Sequence, residues 1–239
     1  MTTTPWTRGM SPNGLWISLE DQVRIDRTNA RLPKDDGRRL HYRTLGGRPL
    51  FPGQWSGNPW SAPILMLLLN PAFSEDLDAA YTDPELTHRV TNHVTGQWDD
   101  DYPNPWLHPK LRAADPWCAT VAFAALHRHL TSKGEEPEAA WRRISRKCAI
   151  LELGAWASYK WSSDAFCSTS KLSIQLAGDA MSDPGRIVLL GRGESDWKSA
   201  GLLDVDTLPK SRGVRVNQSR LSQANYPGAW SRILQLLEK

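Results

Sequence analysis

An asparagine followed by proline stands directly after an unbroken apolar run: Ile64-Leu65-Met66-Leu67-Leu68-Leu69 leads into Asn70-Pro71. Polar residues just beyond the carboxyl ends of buried strands are where open α/β sheets bind ligands, and the Asn70 carboxamide oxygen can hold a water there. Downstream, Asp76 and Asp78 offer carboxylates able to activate that water or stabilise a developing cation; capping a helix is their other use. Near the end of the chain, Asn217-Gln218-Ser219-Arg220-Leu221-Ser222 gathers an amide, two hydroxyls and a guanidinium after Val214-Arg215-Val216. A third polar exit, Gly154-Ala155-Trp156-Ala157-Ser158-Tyr159, follows the apolar segment Ala149 to Leu153.

The elements that must position these residues read as strands alternating with helices. Strands are expected at Ile64 to Leu69, Ala149 to Leu153, Arg186 to Gly191 and Val214 to Val216. Continuous apolar runs of this length suit strands covered on both faces. Helical spacing appears within Leu15 to Leu32, Pro84 to Thr91, Ala113 to Leu130, Pro137 to Lys147, Leu172 to Met181 and Ala229 to Leu237. Together they predict an α/β fold, a three-layer α/β/α sandwich around a mainly parallel four-stranded central sheet. A single domain spans 1–239, with 1–60 as an N-terminal cover, 52–59 as loop, and 74–109 as an elaborated loop over the site.

The first and last of the polar exits, in this order and at the ends of the first and last expected strands, resemble the two signatures of the uracil-DNA glycosylase superfamily. That family places a polar residue and proline after its first strand; Asn70-Pro71 matches the Asn-Pro of the mismatch-specific branch. The second signature, His-Pro-Ser-Pro-Leu-Ser in uracil-specific members, is matched at Ser219, Leu221 and Ser222. The likeness covers residues 60 to 239. It implies a monofunctional glycosylase that flips a base from DNA and hydrolyses its N-glycosidic bond, with Asn70 positioning the water. Phe73 then stacks on the flipped base, Ser158 and Tyr159 read its edge, and Ser219 and Ser222 hold phosphates. Arg220 and Arg215 add positive charge beside them. Asn217 stands where the family has the histidine that stabilises the leaving base, and an amide can donate a hydrogen bond but not a proton.

Losing that histidine points away from ordinary uracil. The loop rich in Asp, Asn and Trp suits a hydroxyl-rich substituent, and the superfamily's antiphage branch, which excises α-glucosylated 5-hydroxymethylcytosine, is the member type most similar. Uracil or mismatch repair, a silent nucleic-acid-binding domain and an enzyme acting on free nucleosides are the competing readings. Composition agrees with a nucleic-acid partner without demanding one: net charge is +3 and pI about 8.8. Four basic residues and no acid lie between Thr207 and Arg220, whereas Glu75 to Asp101 carries eight acids against Arg89 alone. Twelve tryptophans are many for this length, and Trp98, Tyr102, Trp106 and Tyr81 are stacking candidates, each with a packing alternative. Cys118, Cys148 and Cys167 are too few and too separated for an iron–sulfur cluster, and the histidines fit no zinc spacing, so neither a metal cluster nor a cofactor is expected. A cytoplasmic monomer with free thiols and no membrane span is the remaining expectation.

Overall fold

The computed structural model describes residues 4–6, 14–44, 47–72, 82–163, 166–213 and 218–239. Trp55–Ser56 (β1), Ile64–Leu68 (β2), Cys148–Glu152 (β3) and Ile187–Leu190 (β4) form one sheet in the order β1-β3-β2-β4. The three apolar strands pair in parallel, Ile64 standing opposite both Cys148 and Ile187. β1 runs antiparallel to β3, with Trp55 opposite Leu151. The sheet is therefore mixed rather than mainly parallel, and its fourth strand comes from the 52–59 segment expected as loop. Two residues among prolines, glycines and polar side chains carry no readable period. They are fixed instead by pairing, including an N–H of Glu152 that donates to the Gln54 carbonyl at 2.8 Å. The expected strand Val214-Arg215-Val216 lies outside the described residues.

Gly57 ends β1 with φ of 87°, and a Cβ there would sit 2.6 Å from the Cys148 carbonyl oxygen. Both the left-handed backbone and the contact with fixed main chain exclude a side chain. Gly57→Ala is expected to lower stability by about 3 kcal/mol, seen as a lower urea midpoint at unchanged slope.

The helices are α1 (Leu19–Ala30), α2 (Pro84–Val94), α3 (Pro109–Ala114), α4 (Ala124–Ser132), α5 (Pro137–Lys147), α6 (Ser170–Met181), α7 (Glu194–Ala200) and α8 (Trp230–Glu238). Their starts follow local chemistry. Ser18 accepts from the Asp21 N–H at 3.1 Å, and Asp83 accepts from Glu85 N–H at 2.8 Å ahead of Pro84. The single helix expected over Ala113 to Leu130 is broken: α3 ends at Ala114, a wide turn occupies Cys118–Ala122, and α4 restarts at Ala124. Pro116 explains the break, because it lacks an N–H and disfavours helical backbone in Asp115.

Side-chain alternation divides the sheet between two apolar clusters. Leu65, Leu67, Ala149, Leu151, Val188 and Leu190 face one cluster, with Ile25 of α1, Val90 of α2, Ala177 of α6 and Trp197 of α7. Ile64, Met66, Leu68, Cys148, Ile150 and Leu189 face the other, with Leu126 of α4, Ile144 of α5 and Ile233 of α8. Every residue of β2 is at most 1 % exposed, which explains its uninterrupted apolar run. The first sixty residues do more than cover: Trp6, Leu15, Trp16, Ile17, Ile25 and Leu40 belong to the first cluster. Asp21 also ties α1 to the body by accepting from the Ser168 N–H and hydroxyl at 2.9 and 2.8 Å. Among the described residues, no helix is long and apolar enough to cross a membrane. All three cysteines are free and buried.

Candidate functional site

Asn70 leaves β2 at the carboxyl end of the parallel strands and is held on every side. Gly154 N–H donates to the Leu69 carbonyl at 2.8 Å, and Ser158 N–H donates to the Pro71 carbonyl at 3.3 Å. Gly53 presses on Pro71 from the other side, where a Cβ would come within 2.8 Å of the proline ring. The Asn70 side chain, 5 % exposed, donates through Nδ2 to Ser158 Oγ at 2.8 Å and to the Pro71 carbonyl at 3.0 Å. Ser158 Oγ in turn donates to the Lys160 carbonyl at 2.8 Å. The orientation of the amide is thus set by its N–H groups, and no donor among the described residues occupies its Oδ1. An acceptor fixed in this way can hold a water.

Ser158 is 2 % exposed and its hydroxyl is engaged as both donor and acceptor, so it orients Asn70 rather than presenting a free group to a base edge. Tyr159 is 53 % exposed beside His41, their ring centroids 6.0 Å apart, and offers an aromatic face next to Asn70. On the opposite flank of β2, Gly191 follows β4, and a Cβ there would lie 2.5 Å from Leu68 Cδ2 and 3.3 Å from the Gln218 carbonyl. Gln218 of the second motif therefore lies by the same strand end. Within that motif Arg220 is exposed, Ser219 is buried at 4 % exposure, and Ser222 Oγ accepts from the Asn225 N–H at 3.4 Å in a local turn. Arg220 is the group of the three most open to a phosphate. Phe73, Asp76, Asp78, Tyr81, Arg215 and Asn217 lie outside the described residues.

Of the acidic, aromatic loop expected over the site, residues 82 onward are described. Its described part surrounds a groove of about 600 Å³ lined by Arg89, Asn92, His93, Trp98, Asp99 and Tyr102. Trp98 packs 5.8 Å from Trp60, in the turn that enters β2, and His93 reaches the Trp55 carbonyl in β1. Three of the acids are in ion pairs: Arg89 bridges Glu85 and Asp99, Lys110 meets Glu85, and Arg146 meets Asp101. Trp98 and Trp106 pack edge-on against His93, and the buried Tyr102 donates to Glu138. His93 has Trp55 and Pro103 carbonyls 3.1 Å from its two ring nitrogens, and burial lowers its pKa to about 4. His127 stacks on Trp141, and His129 meets Glu238. Among the described residues of this segment, Glu85, Asp99 and Asp101 are in ion pairs and Trp98, Tyr102 and Trp106 are in packing or hydrogen-bond contacts.

One residue in a strong position was read only as part of a strand. Glu152 closes β3 directly opposite Leu68, at 7 % exposure, with its Oε2 buried and without a hydrogen-bond partner. Burial raises its carboxyl from 4.5 to about 8, against the opposing pull of Arg192. The Arg192 Nε is likewise buried without a partner. A lone carboxylate inside Cys148-Ala149-Ile150-Leu151-Glu152-Leu153 is the sequence feature that marks it, since an acid in an otherwise apolar buried strand is costly and needs a reason.

No family model, curated protein or solved structure matches this chain.

Proposed function

We propose that the chain is a monofunctional DNA glycosylase that hydrolyses the N-glycosidic bond of a flipped-out modified pyrimidine and leaves an abasic site. The observation that carries this reading is the Asn70 amide, pinned through Nδ2 by Ser158 and Pro71 at the carboxyl end of the parallel strands. Its acceptor oxygen is left for a nucleophilic water, which reacts at C1′ as the bond to the base breaks. The approach of Gln218 to the same strand end supports the pairing of the two sequence motifs, and exposed Arg220 and Tyr159 suit a phosphate and a base face. A three-layer α/β/α sandwich, acting as a monomer on DNA in the cytoplasm, completes the reading.

The substrate we assign is α-glucosylated 5-hydroxymethylcytosine in phage DNA, on the absence of any histidine after His129 and the Asn-Pro motif. Incubation with glucosylated phage DNA and with uracil-containing DNA, followed by abasic-site cleavage, is expected to nick only the former. Nicking of the uracil substrate alone sinks the assignment.

Ser158→Ala removes the acceptor that orients the amide while leaving the amide itself. It is expected to lower kcat for base release about tenfold at unchanged KM, because the water is held less well in its reactive position. An unchanged kcat removes Ser158 from the site.

A further inference from the structure

We propose that Glu152 donates the proton on which the base departs, the step that Asn217 cannot perform; this rests on the glycosylase reading above. Residues opposite one another on adjacent parallel strands point to the same face, so Glu152 and Leu68 share one. Gly191 packs against that Leu68 side chain and is itself bordered by the Gln218 carbonyl. Glu152 and Gln218 therefore lie about one strand end, Glu152 opposite Leu68 and Gln218 beside Gly191. From strand spacing and rise, the Glu152 and Asn70 Cα atoms are roughly 8 Å apart, about the reach of a pyrimidine ring with a polar contact on either side.

Two unpartnered atoms of opposite demand lie within electrostatic reach of one another. Glu152 Oε2 and Arg192 Nε are both buried without a hydrogen-bond partner, although the Arg192 charge reaches Glu152. Unsatisfied buried polar atoms are rare in native proteins and call for a ligand or a catalytic use. A protonated carboxyl donates through O–H and accepts through C=O, and the guanidinium Nε–H donates. Cytosine complements all three: N3 accepts the acid's proton, the exocyclic amino group donates to its carbonyl oxygen, and O2 takes the Arg192 N–H.

The step balances. The Glu152 O–H bond breaks as N3–H forms, and the C1′–N1 electron pair moves to N1, so cytosine leaves neutral rather than as an anion. The oxygen of the water on Asn70 bonds to C1′, the surplus proton passes to solvent, and solvent reprotonates Glu152. Burial keeps the carboxyl protonated up to about pH 8. Arg192 is the charged group that opposes this rise. Cys118, which feels the Glu152 charge, is held neutral because burial pushes its thiol well up, with Asp115 adding to that rise.

The test is single-turnover release of the base from glucosylated hydroxymethylcytosine DNA between pH 6 and 10, with DNA affinity measured alongside. Wild-type protein is expected to slow tenfold per unit above about pH 8. Glu152→Gln is expected to be at least about 100-fold slower, without that alkaline limb and with DNA affinity unchanged. A Glu152→Gln protein as fast as wild type, or a wild-type profile flat from pH 7 to 10, overturns the assignment of Glu152 alone. The second readout needs no variant and survives a substitution that fails to fold. A wild-type protein that releases no base from any modified or uracil DNA overturns the glycosylase reading and the proposal with it.

Discussion

Asn70→Ala is expected to slow base release by on the order of 10²–10⁴-fold while DNA affinity stays within about twofold of wild type. The asymmetry follows from burial. Asn70 is 5 % exposed and makes its hydrogen bonds to Ser158 and Pro71, so it offers little surface to a phosphate backbone. Its contribution is to the position of one water, which matters in the transition state and hardly at all in the ground state. Asn70→Asp gives a sharper test. A carboxylate holds water at least as well, yet it cannot donate to the Pro71 carbonyl and faces that oxygen with a negative charge. The side chain then turns away, and Asn70→Asp is expected to be as slow as Asn70→Ala. Single-turnover release measured against DNA affinity from fluorescence anisotropy decides the matter. Full activity in Asn70→Ala removes Asn70 from the reaction, full activity in Asn70→Asp shows that the amide donors do not set its orientation, and a wild-type protein that binds DNA without releasing any base turns the chain into a binding module.

Much of this arrangement was legible because burial leaves a record in the residue types. β2 lies between two apolar clusters, so each of its residues is apolar and the end of the run locates Asn70. α5 begins at Pro137 and ends at Lys147 where its proline start and apolar period predict. β1 was not legible, since two residues hold their place by pairing with Leu151 and Ile150 rather than by any pattern of their own. The break at Pro116 was written in the sequence and outweighed by the helical spacing on either side of it. The acidic loop was legible only as composition. Composition records which groups are present, and only geometry shows that Arg89, Lys110 and Arg146 neutralise Glu85, Asp99 and Asp101 and that Trp98 and Trp106 pack on His93. Glu152 carries the same lesson in reverse. Its strand was recognised from its neighbours, and its charge was the one feature that did not fit.

That charge makes stability itself a probe. Burial raises the Glu152 carboxyl from 4.5 to about 8, so the folded chain binds one more proton than the unfolded chain between those values. Stability tied to Glu152 is fully present below pH 4.5, falls as pH rises, and is lost above about pH 8. Over the whole window the loss is about 5 kcal/mol, an upper figure for a group this deeply buried. His93 acts in the opposite sense. Burial lowers it from 6.5 to about 4 against the pull of the Trp55 and Pro103 carbonyls, so its contribution is present above pH 6.5 and is lost toward pH 4. His41 and His108 are also lowered by burial and add to that acid-side slope. Between pH 6.5 and 8 Glu152 therefore dominates the slope, and wild-type stability is expected to decline there by about 2 kcal/mol. Glu152→Gln keeps the shape and removes the titration, so its stability is expected to stay level across that interval and to fall by about 3 kcal/mol as pH drops from 6.5 to 4. Urea unfolding of both proteins at half-unit steps of pH reads the difference directly. A variant that keeps the decline between pH 6.5 and 8 places the titrating group elsewhere, and with it the proton proposed for the leaving base.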